Sequence, residues 1–387
     1  MKKISLIMIT IMAMNMLFAP KTLGHPQESP ATILSESAIM MDSKTGTILY
    51  EKNANEQMYP ASLTKMATAI YAIETGNLDE VVTISSRARN TGGSSVYLEE
   101  GEKVTLKKLV QGLLINSGND AGVAIAEHMS RSVEVFSSDI NDYLKNVIGV
   151  QHSNFENPHG LFDPDHVTTA EDLAKITQYA IKNDIFREIF GTIDLEWKGE
   201  SWDTTLLTHH KLMREIPYEG ITGGKTGFVS KSGFTLATTA ERDDLSLIVI
   251  TLNTDRNSDA YNDTIHLLDY GFGNFHRSSI SKGTEFTVDG QEYKTPTKLE
   301  YTYPLNDKVN KEVNNGALEI RMQDGTVIAS MLLDKIKKEN KAINPIEVTK
   351  DIKTAPVVEK DFPMLVLLVS ALAVGLVVLF YRKIRKI

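Results

Sequence analysis

From Phe362 to Tyr381 the chain runs for 20 residues without a charge. At about 1.5 Å rise per residue, a helix of that length reaches ~30 Å, the apolar thickness of a bilayer. Leu, Val, Ala, Phe and Met dominate the stretch, so it lacks the polar stripe of a helix lying in the interface. Arg382, Lys383, Arg385 and Lys386 follow at once, and basic residues of this kind stay on the cytoplasmic side. The expectation is a transmembrane helix over 362–381 and a cytoplasmic basic tail over 382–387. At the other end, Lys2 and Lys3, the apolar run Ile4 to Phe18 and the small residues around Thr22-Leu23-Gly24 read as a secretory signal peptide over 1–24. An uncleaved anchor is the alternative, opposed by the shortness of the run and by Pro20. Under either reading the body lies outside the cell, tethered by its C-terminus to the cell membrane.

Charge sharpens that division. Three lysines fall in the first 24 residues and four bases in the last six, so 34 of the 41 Lys and Arg remain in the body against 50 acids, a net of −16. Such a surface repels phosphate backbones, and no nucleic-acid partner is expected. Cysteine is absent, which excludes disulfides, thiol chemistry and sites built on thiolates. The nine histidines show no His-x-x-x-His pair, and His209 and His210 are adjacent, so neither a metal nor another cofactor is expected.

A length of 387 residues with 42% hydrophobic content suits two or three folded domains. Ser37 to Lys52 reads as a hairpin around Ser43-Lys44-Thr45-Gly46. From Ala61 apolar residues recur at three and four positions, and helical periodicity returns in 106–129, 135–148 and 170–183. Gly233 to Leu252 is strand-like, and Ala260 to Phe272 is helical again. Strand, helices, strands and helix in that order imply an α+β fold, an antiparallel sheet joined to a helical cluster, over 25–276. Short alternations broken by Gly and Asp-Gly predict a small all-β domain over 277–345, followed by a linker over 346–361.

Three short patterns can carry chemistry. Ser62 and Lys65 lie three apart where a helix begins, on one face and within reach of each other. A lysine that takes the serine's proton must be neutral, which requires moving its pKa from near 10.4 to about 7, on the order of 4–5 kcal/mol. Burial and a second nearby cation produce such shifts. The spacing by itself is weak, since Ser279 and Lys282 repeat it, and an ordinary helix-capping serine explains Ser62 equally well. Ser117-Gly118-Asn119 occupies a turn before a helix expected near Ala121, where a hydroxyl and a carboxamide can relay a proton and hold an amide, or simply cap the turn. Lys225-Thr226-Gly227 opens a strand region and suits an extended peptide whose carboxylate faces the lysine. The same letters at Lys44-Thr45-Gly46 sit in a tight turn and read as structural.

Taken in order, Ser62-x-x-Lys65, Ser117-x-Asn119 and Lys225-Thr226-Gly227 resemble the three-motif signature of penicillin-recognising serine enzymes. The surrounding text, from AIMMDSKTGTILYEKNANEQMYPASLTKMATA through LLINSGNDAGVAIAEHM to GGKTGFVSKSGFTLATTA and HLLDYGFGNF, is similar to low-molecular-mass penicillin-binding proteins that act as D-alanyl-D-alanine carboxypeptidases. The resemblance implies a β-lactamase/transpeptidase-like fold over about 31–276. It implies that Ser62 attacks the carbonyl between the two terminal D-alanines of a peptidoglycan stem peptide, forming an acyl-enzyme, with Lys65 as base and Ser117 passing a proton to the leaving group. Asn119 would hold the substrate amide, and Lys225, Thr226 and Gly227 its terminal carboxylate. Backbone N–H groups of Ser62 and Phe228 would form the oxyanion hole. β-Lactam antibiotics would acylate Ser62, and slowly released adducts are expected because no Glu-x-x-Leu-Asn run is present. Many relatives place an arginine twelve residues before the phenylalanine of Leu-Asp-Tyr-Gly-Phe. This chain has Ala260 there, with Arg256 one turn earlier. Two other functions fit the same letters: an endopeptidase cutting cross-links, and a non-catalytic β-lactam sensor.

Overall fold

The computed structural model describes residues 30–200 and 202–336. The expected signal peptide, linker, transmembrane helix and basic tail lie outside them. Among the described residues no helix is long and apolar enough to cross a membrane.

The first strands, β1 (Ser37–Asp42) and β2 (Ile48–Lys52), form the expected hairpin. Three later strands complete an antiparallel sheet, namely β3 (Ile221–Val229), β4 (Gly233–Arg242) and β5 (Leu245–Thr254), in the order β2-β1-β5-β4-β3. Side chains alternate across a strand. Along β1, Ile39 and Met41 enter one core with Ile248 and Ile250, while Ala38 and Met40 enter another with Leu247 and Val249. The sheet is therefore a middle layer, buried on both faces. Sequence periodicity reveals such strands poorly, because both faces are apolar.

On one face stands a helical cluster around α1 (Thr64–Thr75), in which nine of twelve residues are buried. A helix apolar on nearly all sides must be enclosed, and α1 packs against α2 (Leu106–Ile115), α3 (Asn119–Ser130), α4 (Val133–Tyr143), α5 (Ala170–Ala180) and α6 (Asp184–Phe190). The opposite face is covered by α7 (Asn257–Asn274). Periodicity located these helices but blurred their ends. The 106–129 stretch is two helices parted at residues 116–118, the 135–148 stretch gives way to a wider turn at Leu144–Ile148, and α7 starts three residues before Ala260. A hairpin of Asp194–Lys198 and Asp203–Leu207, which periodicity did not show, buries Trp197 against Gly112.

From Phe275 the chain becomes all-β, with strand pairs Phe275–Ile280 with Leu299–Pro304, and Val309–Asn314 with Ala317–Met322 and Val327–Leu332, around Ile280, Tyr301, Leu318, Ile320 and Leu333. A buried carboxylate joins this part to the hairpin turn. Asp42 Oδ2 accepts from Thr302 Oγ1 at 2.5 Å, and Oδ1 faces Arg277 at 3.3 Å and accepts from Lys44 N at 2.8 Å.

Candidate active site

Ser62 lies on a single 3-10 turn, Ala61–Leu63, that enters α1. The capping alternative fails here, since neither the turn nor α1 has a side-chain cap. Instead Ser62 Oγ sits 2.8 Å from Lys65 Nζ. Ala61, just before it, holds a left-handed φ of +48°, a costly conformation for a residue with a Cβ. Tertiary packing imposes that strain. Edge strand β3 presses on the turn from one side, where a Cβ at Gly227 would stand 2.8 Å from Ser62 N. From the other side, a Cβ at Gly160 would collide with Ala61 O at 1.8 Å. Glycine is required at both positions because backbone approaches backbone.

Lys65 is fully buried. Besides Ser62 Oγ it reaches Asn119 Oδ1 at 2.7 Å and the carbonyl of His159 at 2.7 Å. Both of these groups only accept hydrogen bonds, so they occupy the two N–H bonds of a neutral amine and leave its lone pair for the serine hydroxyl. Burial, reinforced by the charge of Lys225, holds the Lys65 pKa well below the ordinary lysine range, while Asp120 opposes the shift. Asn119 is the first residue of α3, and its Nδ2 donates to Gly92 O at 2.7 Å, which fixes the oxygen toward Lys65.

Lys225 occupies the interior of β3, not its beginning, and is likewise buried, which pushes its pKa down to about 7. Its Nζ donates to Ser117 Oγ at 3.0 Å and to Thr226 O at 2.9 Å. Ser117 sits in the turn between α2 and α3 with φ +62°, a second strained residue beside Ala61 at this site. Thr226 is half-buried and Gly227 buried, whereas Phe228 is exposed and its ring leans on Phe234 at 4.5 Å. The three distant patterns thus meet at one place: serine and lysine of the first, hydroxyl and carboxamide of the second, and the lysine strand of the third.

Two further expectations resolve differently. Ala260 is buried beside Leu212, Leu236 and Tyr261, and Arg256 pairs with Asp259 at 3.0 Å with its side chain largely in solvent. His159 contributes its backbone carbonyl to Lys65. Its ring is buried and its pKa is pushed down to about 3 by burial and then by the Lys65 charge, so it stays neutral. Asp120 was missed altogether. It accepts from Val96 N at 3.0 Å, Leu98 N at 3.1 Å and Ser95 Oγ at 2.6 Å, clamping the strap that also borders Asn119. Its adjacency to Ser117-Gly118-Asn119 was the only signal available.

This arrangement offers a hydroxyl beside a buried amine of lowered pKa, a second hydroxyl under a lysine, and a strand edge for an extended substrate, the parts needed for acyl transfer through a serine ester. Comparison with known proteins agrees. The sequence model of the D-alanyl-D-alanine carboxypeptidase family matches residues 25–256. The chain is 28% identical over 375 residues to the D-alanyl-D-alanine carboxypeptidase DacF of Bacillus subtilis, covering 91% of this chain and 95% of that protein. It is 31% identical over 287 residues to DacA of Escherichia coli, covering 69% and 66%. Penicillin-binding protein 5 of Haemophilus influenzae superposes with a TM-score of 0.71 at 27% identity, over 80% of this chain and 98% of that one. A family model that matches more than half the sequence makes this chain a member of the D-alanyl-D-alanine carboxypeptidase family.

Proposed function

We propose that the protein removes the terminal D-alanine from peptidoglycan stem pentapeptides through an acyl-enzyme on Ser62. The observation that carries this reading is the position of Lys65 Nζ, 2.8 Å from Ser62 Oγ, with its other two contacts taken by acceptors. Lys65 withdraws the hydroxyl proton as Ser62 Oγ attacks the carbonyl between the two D-alanines. The tetrahedral oxyanion faces the N–H groups of Ser62 and Phe228, a type of contact typically contributing ~3–4 kcal/mol per donor. Ser117, tied to Lys225, gives its hydroxyl proton to the leaving amine and is reprotonated with the proton that Lys65 took from Ser62, which returns Lys65 to its neutral form. The substrate lies along the edge of β3 with its carboxylate toward Lys225 and Thr226, and Asn119 Nδ2, of whose two N–H bonds Gly92 O takes one, turns the other to the substrate amide. Water then cleaves the ester. With Arg256 paired to Asp259, carboxylate recognition falls to Lys225 and Thr226.

β-Lactams enter by the same attack and leave slowly. The catalytic part works outside the cell, on the wall, with residues 362–381 as its membrane anchor. The deciding assay incubates the chain with diacetyl-Lys-D-Ala-D-Ala and measures free D-alanine. Release that survives Ser62→Ala rejects the nucleophile, and a chain that separates cross-linked stem dimers, supplied as a second substrate, while releasing no D-alanine from the tripeptide would be an endopeptidase.

A further inference from the structure

Behind the nucleophile lies a second chain of hydrogen bonds with no part in the proton transfers above. His166 is buried, its ring stacked on Phe155 at 5.0 Å. Glu156 N–H donates to His166 Nδ1 at 3.0 Å, which fixes the tautomer: Nε2 carries the proton and donates to Thr64 Oγ1 at 2.8 Å. With its oxygen so engaged, the Thr64 hydroxyl proton is directed to the carbonyl of Ala61 at 2.8 Å. That carbonyl belongs to the peptide joining Ala61 to Ser62, whose other end is the Ser62 N–H. A peptide unit is planar, so fixing the direction of its oxygen fixes the direction of its N–H.

We infer that His166 and Thr64 are positioning residues that lock the Ala61–Ser62 peptide plane and thereby aim the Ser62 N–H at the oxyanion. This rests on the acyl-transfer reading. The strain at Ala61 gives the lock its purpose: a residue at φ +48° relaxes unless something holds it, and the Thr64 hydroxyl is the one side chain bonded to its carbonyl among the described residues. Gly160 and Gly227 leave room for the plane, and Thr64 sets its angle. Removing one oxyanion donor costs about 100–1000-fold in rate. A misdirected donor costs less, about 10–100-fold.

The test separates the rate constant of acylation by penicillin from the dissociation constant of the non-covalent complex that precedes it, and adds the affinity of a peptide boronic acid, whose tetrahedral adduct on Ser62 presents an oxygen where the oxyanion forms. Thr64→Val should lower the acylation rate about 10–100-fold and boronate affinity by the same factor, leaving the non-covalent constant within about twofold. Thr64→Ser, which keeps the hydroxyl, should restore both. His166→Gln should cost less than Thr64→Val, and the double variant no more than Thr64→Val alone, because both residues act through one bond. A Thr64→Val protein that acylates at the parent rate, a loss confined to the non-covalent constant, or losses that add in the double variant would each overturn the lock. A parent protein that penicillin does not acylate would instead reject the acyl-transfer reading.

Discussion

Lysine, threonine and glycine occur consecutively twice in this chain, and the two copies share nothing but their letters. At 44–46 the triplet bends. Lys44 is exposed, Gly46 takes φ +72°, and Thr45 Oγ1 lies 3.0 Å from Thr302 Oγ1 in the small β part. At 225–227 it is extended. Lys225 is buried against Ser117, and Gly227 is glycine because Ser62 N occupies the space a side chain would need. The two Ser-x-x-Lys pairs divide the same way, for Ser279 stands exposed on a strand and Lys282 lies beyond its end. What converts such letters into chemistry is backbone conformation, which chooses the neighbours, and burial, which sets the charge.

Breaking the comparison at its lysines gives the largest expected effect. Lys225→Ala removes both the partner of Ser117 and the cation proposed to face the substrate carboxylate, and should lower kcat/KM for the tripeptide by about 150–900-fold, given ~3–4 kcal/mol for a buried charge-assisted contact. Lys44→Ala should leave it within twofold. At the glycines, Gly227→Ala should slow acylation about 100-fold, since the new methyl meets Ser62 N and Thr235 Oγ1 at 2.8 and 2.5 Å. Gly46→Ala should leave acylation unchanged and lower stability by about 1 kcal/mol through its left-handed φ, read as a shift in thermal midpoint.

pH distinguishes the buried lysine from its exposed counterpart a third way. Lys225 is proposed to bind the carboxylate as a cation, and its pKa, pushed down to about 7 by burial, should make kcat/KM fall as pH rises through that value. Stability runs the other way. A lysine whose folded pKa lies below its unfolded value binds fewer protons when folded, so the fold gains stability between pH 7 and about 10.4. Lys225→Met should therefore stabilise the protein at pH 7 and flatten that rise by up to about 1.4 kcal/mol per pH unit, whereas Lys44→Met should leave the slope unchanged. Urea titrations of the three proteins at pH 7, 8 and 9 measure the slopes.

The side chains of the site were legible in the sequence because each chemical role demands a residue type. What stayed hidden has no letter of its own. The carbonyl of His159 belongs to any residue, and the left-handed residues Ala61 and Ser117 contradict local preference, the first of them held between β3 and Gly160. The helical cluster followed from periodicity where one face met solvent, as in α2 and α5. Periodicity failed for the hairpin around Trp197, whose strands are mostly polar, and it blurred the break at Ser117, where apolar residues continue across two helices. His166 carried no sign, being one more histidine until Thr64 and Glu156 appeared on either side.

The carboxylate of Asp42, sealed between the hairpin turn, Thr302 and Arg277, means that the small β part is no pendant. Separating it would break the Thr302 hydrogen bond and the buried Arg277 ion pair together, so heat should melt both parts in a single cooperative step. A swivel at the junction is thereby denied, and whatever carries the β part also dictates which way the cleft looks.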